Sequence, residues 1–98
     1  MPYLIETFDK PGHQHVRRET RPAHLTFLEE HGALLLACGA KLFDGGSDAG
    51  GGIYIVDVET REEAQAFIET DPFFRAGLFA SVKITRWRKA WLAGRCCL

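Results

Sequence analysis

The order of periodicities along these 98 residues predicts an α+β domain of the form βαββαβ. Three observations carry that expectation. Short stretches rich in aromatic and β-branched residues recur along the chain, two stretches with helical spacing lie between them, and Gly- or Pro-bearing segments separate the pieces.

Tyr3 to Phe8 sets Tyr3, Ile5 and Thr7 on one face and Leu4, Glu6 and Phe8 on the other, the alternation of a first strand. Asp9-Lys10-Pro11-Gly12 ends it as a turn. A helix is expected from about His15 to Glu30, closed by Gly32 as its cap. Pro22 complicates that helix, because an internal proline removes a backbone hydrogen bond and crowds the preceding turn. Either the helix kinks near Arg18, or its regular part starts at Arg21-Pro22. Projected at about 100° per residue, His24 falls between Leu25 and Leu28 on one side and Phe27 on the other, with Arg17 and Arg21 near the same meridian. His24 therefore faces the interior.

Ala33 to Phe43 is an apolar run broken by Gly39 and reads as a second strand, buried on both faces or bulged at the glycine. Asp44 to Gly52 reads as a flexible connection; no Gly-Lys-Ser/Thr element follows it, which separates it from phosphate-cradling loops. Ile53 to Val58 makes a third strand. Thr60-Arg61-Glu62-Glu63 is a capping box that starts a second helix, running to about Glu69 with Ala64, Phe67 and Ile68 on its buried stripe. Pro72 biases Asp71 away from the α region and ends that helix, and Asp71 can cap the turn that Pro72 opens. Ser81 to Trp91 alternates as a fourth strand with a basic extension. The whole is the split-βαβ or ferredoxin-like arrangement, a single domain over residues 1–98 with a core over 1–88 and a C-terminal extension over 89–98.

A chain of this length buries only about two-thirds of the surface its unfolded form exposes, so the core is thin and a dimer would add burial. Tyr3, Tyr54 and Trp87 lie on strands, and a bare sheet face carrying them would expose more apolar area than a monomer in water tolerates. Sheet-to-sheet pairing into a dimeric α/β barrel is expected. A net charge of -1 with scattered cations excludes the basic stripe of a nucleic-acid binder. No apolar run approaches the roughly 18 residues of a membrane span and no leader pattern opens the chain, so a cytoplasmic protein without a membrane partner is expected. Cys38 reads as a small buried hydrophobe. Cys96 and Cys97 form neither a disulfide framework nor a prenylation signal. His13-Gln14-His15 and the His24/His31 pair have no Cys or carboxylate cluster at zinc spacing, so neither a metal nor an organic cofactor is expected.

The chemistry concentrates on His24 and Asp71. In a βαββαβ fold the two helices run antiparallel on one face, so the middle of the first can meet the end of the second. A carboxylate accepting from one imidazole nitrogen fixes the tautomer and frees the other nitrogen for acid or base work, a role worth about 10²–10⁴ in rate. Phe73 and Phe74 would form an apolar wall that keeps such a pair partly dry.

Arg21-Pro22-Ala23-His24-Leu25, Leu35-Leu36-Ala37-Cys38-Gly39, Thr60-Arg61-Glu62-Glu63-Ala64 and above all Asp71-Pro72-Phe73 with Ala76-Gly77-Leu78-Phe79 resemble the YciI-like (YCII-related) domain family. The resemblance runs to about Trp87, and Lys89 to Leu98 has no counterpart in it. It implies a dimeric ferredoxin-like barrel with a His–Asp pair in a pocket, here His24 and Asp71. It also implies a small enzyme, a few relatives being dehydrochlorinases of chlorinated aromatic compounds. Arg21 would then meet an anionic substrate, and Ser81 and Phe73 would line the same pocket. The leading expectation is general acid/base catalysis of an elimination, isomerisation or hydrolysis on a small aromatic or anionic compound. The alternatives are a non-catalytic small-molecule binding module and a cofactor-free monooxygenase on the same barrel.

Overall fold

Alternation along the first strand decides which face of the sheet is covered. In β1 (Tyr3–Asp9), Tyr3, Ile5 and Thr7 are buried and Phe8 is exposed. The structure, a computed structural model, describes residues 1–98. After β1 come α1 (Gln14–Glu30), β2 (Leu35–Leu42), β3 (Asp48–Val56), α2 (Arg61–Glu69), the short α3 (Pro72–Arg75) and β4 (Phe79–Arg86). The four strands form one antiparallel sheet in the order β2-β3-β1-β4, the ferredoxin-like arrangement expected from the sequence. No helix is long and apolar enough to cross a membrane.

Several local expectations are corrected. α1 runs from Gln14 straight through Pro22, so the proline does not set its start. Gly32 is not its cap; His31 ends the helix, with its N–H and its Nδ1 3.1 and 2.8 Å from the Phe27 carbonyl, and Gly32 opens a short 3-10 turn over Gly32–Leu34. β2 is an edge strand, largely exposed rather than buried on both faces, and its irregularities flank Gly39 instead of falling on it. β3 begins at Asp48, not Ile53, and takes in three glycines of the expected loop. A Cβ on Gly52 would stand 2.9 Å from the Gly39 carbonyl oxygen, and one on Gly51 would collide with the Thr7 carbonyl. These glycines serve close strand approach rather than loop flexibility.

α2 starts where the capping box places it: the Thr60 hydroxyl accepts the Glu63 N–H at 3.1 Å. Ala64, Phe67 and Ile68 then pack with Ile5, Val56 and Phe27 in the core between sheet and helices. Only 16 of 98 residues are buried, which makes the core as thin as the chain length suggests. Tyr3 and Tyr54 belong to that core at 8% and 3% exposure and are not on the open face. Their side chains share the alternation of Ile5 and Val56, which points them under the helices. The open face instead carries Leu4, Phe8, Ile53 and Ile55 among Glu6, Lys41 and Lys83.

The fourth strand ends at Arg86, short of Trp91, and Trp87 follows it half-buried, its N–H donating to Pro2 O at 2.9 Å. The extension is a small hairpin of β5 (Trp91–Leu92) and β6 (Arg95–Cys96). Ala93 and Gly94 both have positive φ, 51° and 77°, the backbone signs of a type I′ turn.

Candidate active site

Asp71 reaches the site because Pro72 follows it. With φ -64° and ψ 131° it sits in extended geometry as the N-cap of α3, and its Oδ1 accepts the Phe73 N–H at 2.8 Å. The residue is fully buried, so both oxygens need partners. Oδ2 accepts the Tyr54 hydroxyl at 2.7 Å, and His24 Nδ1 lies 3.0 Å from each oxygen. An ionised carboxylate can only accept, which makes Nδ1 the protonated ring nitrogen. His24 Nε2 has no hydrogen-bond partner in the protein.

Phe73 forms one wall. Its ring stacks on the His24 imidazole with centroids 4.0 Å apart and planes at 18°, and the Arg17 guanidinium approaches the same ring at 4.7 Å. Arg17 is itself fixed by a bidentate pair with Asp9, 2.7 and 3.0 Å. Burial of that guanidinium works against its charge, but the hydrogen bond and charge of Asp9, helped by the more distant Asp48, leave the net pKa shift upward. Arg17 is therefore a permanent cation beside the site.

A cavity of about 220 Å³ opens against this group, lined among others by His24, Phe73, Tyr54, Arg17, Arg21 and Cys38. Arg21 is exposed at its wall and makes no ion pair within the chain. Cys38 is not the core residue expected. It pairs with Tyr54 across β2 and β3, so its side chain shares Tyr54's face of the sheet, yet β2 is an edge strand and leaves the residue exposed. Although the residue as a whole is exposed, it lines the cavity beside Tyr54, and the partial loss of solvent there, followed by the Asp71 charge, pushes the thiol pKa up to about 11. Burial first, then the charge and hydrogen bond of Asp71, drive the Tyr54 phenol well above its ordinary range. Tyr54 therefore stays protonated, and a donor to Asp71, at neutral pH.

The structure thus brings His24, Asp71, Phe73 and Arg21 together and leaves Ser81 out. Ser81 stands opposite Phe8, exposed on the open face of the sheet, so the alternation of β4 turns it away from the cavity. Sequence reasoning missed Tyr54 as a partner of Asp71, and placed Arg17 near the right meridian without a role. A hydroxyl on a buried strand face was the one signal for Tyr54, since it must find an acceptor. Elsewhere the His13 and His15 rings lie 6.0 Å apart, with His13 Nδ1 2.9 Å from Pro11 O, and no three His, Cys, Asp or Glu side chains converge.

The model of the YCII-related domain matches residues 1–88. The chain belongs to that family. Protein YciI of Escherichia coli O6:H1 and Protein YciI of Shigella flexneri are each 32% identical over 98 residues, covering 93% of this chain and all of the relative. Among solved structures, 5-chloro-2-hydroxyhydroquinone dehydrochlorinase (TftG) from Burkholderia phenoliruptrix AC1100, in complex with 2,5-dihydroxybenzoquinone, superposes with a TM-score of 0.83 at 37% identity, over 90% of this chain and 94% of that one. An antibiotic biosynthesis monooxygenase aligns at a TM-score of 0.49 and 18% identity, too distant to bear on function. The β5–β6 hairpin lies beyond the family match.

Proposed function

We propose that this YCII-related protein is an enzyme of general acid/base type, in which His24 Nε2 moves the proton and Asp71 holds the ring. The observation that carries the reading is the pair of 3.0 Å contacts from His24 Nδ1 to a buried carboxylate, with the other ring nitrogen unpartnered beside a cavity. The substrate class is a single-ring phenol or quinol carrying negative charge. A cavity of about 220 Å³ suits one ring, Phe73 offers an apolar wall, and Arg21 is a cation without a partner. The reaction favoured is elimination through the keto tautomer of the ring. A hydroxyl proton is transferred to the chlorine-bearing ring carbon, and the base then removes a proton from a second hydroxyl. The electron pair of that hydroxyl forms the second carbonyl, shifts the ring double bond and expels chloride, leaving a quinone. The dehydrochlorinase neighbour makes 5-chloro-2-hydroxyhydroquinone the natural probe. Two copies would pair through the open sheet face, covering Phe8 and Ile53, which are 38% and 37% exposed in the single chain.

Chloride release from that probe tests the reading. The parent protein should release chloride, and His24→Gln, which keeps a polar side chain of similar reach, should lose about 10²–10⁴ in rate. Equal rates in the two proteins would overturn it.

One observation favours a second reading. Asp71 already caps α3 through the Phe73 N–H, so its burial has a structural use apart from His24. In a pure binding module the probe would raise the unfolding temperature and be recovered chemically unaltered.

A further inference from the structure

Tyr54 is the group at the cavity whose polar atom neither the family relationship nor the acid/base reading employs. It lies in the middle of the sheet, opposite Ile5 on one side and Cys38 on the other, and its ring is held edge-on against Phe67 with centroids 6.2 Å apart. The hydroxyl has one hydrogen bond, donated to Asp71 Oδ2 at 2.7 Å, the shortest contact that carboxylate makes. Asp71 comes from the α2–α3 junction and His24 from α1. Tyr54 is the member of the group that ties both helices to the sheet.

We propose that Tyr54 is a positioning residue for the His24–Asp71 pair, setting both the tilt of the carboxylate and how much of its negative charge the imidazole feels. This rests on the acid/base reading for its consequence in catalysis, but not for its test. The tilt follows from geometry. Phe73 N–H holds Oδ1 and Tyr54 O–H holds Oδ2, so the plane of the carboxylate is pinned at both ends and presents both oxygens to Nδ1 at the same 3.0 Å. The charge follows from electrostatics. A donor on Oδ2 draws electron density from the carboxylate and weakens its hold on a protonated ring, so removing that donor favours imidazolium. The other groups facing His24 are unchanged by such a substitution: Arg17 and Arg21 on its own helix, Asp9 of β1 paired with Arg17, the Cys38 thiol of β2 and the apolar ring of Phe73.

Tyr54→Phe keeps the ring that lines the cavity and removes only the hydroxyl. The readout is the ring-nitrogen NMR titration of His24 in the full ¹⁵N-labelled chain, which needs no substrate. The His24 curve should move to higher pH by about half a unit or more in Tyr54→Phe. Site-specific 3,5-difluorotyrosine at position 54, a stronger donor of the same shape, should move it the other way. Curves that superimpose on the parent, or a downward shift in Tyr54→Phe, would overturn the proposal. Should Tyr54→Phe fail to fold, the difluorotyrosine protein decides the matter alone. If the curves shift as expected while His24→Gln still turns over the probe, the coupling stands and the catalytic reading falls.

Discussion

The two faces of the one sheet are made by the same four strands yet carry opposite chemistry. Beneath the helices, Ile5, Val56 and Tyr54 pack against α2 and Asp71, and every buried polar side-chain atom has a partner. On the open face, Phe8 and Ile53 lie more than a third exposed, Lys83 is exposed, and Glu6 and Lys41 are partly solvated. The Lys41–Glu6 pair there is loose, at 3.4 Å, and Lys41 also lies 3.7 Å over the Phe8 ring. The difference teaches where a charge is costly to disturb. A carboxylate under the helices is fixed by three donors, while one on the open face is replaceable by water.

The contrast is sharpest in the carboxylates. Asp71→Ala strands the Tyr54 hydroxyl, the Phe73 N–H and His24 Nδ1 at once, and should cost about 3–5 kcal/mol in denaturant unfolding. Glu6→Ala should cost less than about 1 kcal/mol in the same assay. Equal costs would break the distinction between the faces.

The apolar residues repeat the test more gently. Ile5→Ala, at a fully buried position, should lose about 2–5 kcal/mol. Ile53→Asp should leave the protomer folded but halve the mass seen by light scattering, provided the open faces pair. An unchanged mass would remove the proposed dimer interface.

Alkaline pH probes the covered face next. Cys38 and Tyr54 both keep protons in the folded protein that the unfolded chain gives up from about pH 9 and 10, their ordinary values being 9.0 and 10.0. The unfolded state then binds fewer protons than the native one, so stability falls as pH rises through that range. Cys38→Ala should flatten the fall between about pH 9 and 11, and urea midpoints across that range read it. In the parent, iodoacetamide modification of Cys38 should climb about tenfold per pH unit up to about pH 11. The smallest effect belongs to Ser81→Ala, within about 0.5 kcal/mol in stability and without change in chloride release.

Local signals with one dominant cause were legible in the sequence. The capping box placed α2 to the residue, the period-two pattern of β1 separated its two faces, and Asp71-Pro72 stopped a helix and capped the next. His24 was readable because helical projection is nearly rigid geometry. What the chain order could not convey was lateral placement in the sheet. The apolar run around Cys38 looks like a central strand, but it is an edge, because nothing in a strand's own residues states how many neighbours it has. The glycines at positions 51 and 52 look like a loop until Thr7 and Gly39 are seen against them. Ser81 was assigned to the pocket without its register, and one residue of register decides the face. Tyr54 needed all of this, since its bond to Asp71 spans 17 residues and joins a strand to a helix cap.

Whether Nε2 is the working nitrogen can be read directly from the ¹⁵N shifts of the His24 ring in the neutral state. The account predicts a protonated Nδ1 and an unprotonated Nε2, with the preference weakened in Asp71→Ala if that variant folds. A neutral ring protonated on Nε2 would leave His24 with no free base facing the cavity, and would contradict the central claim.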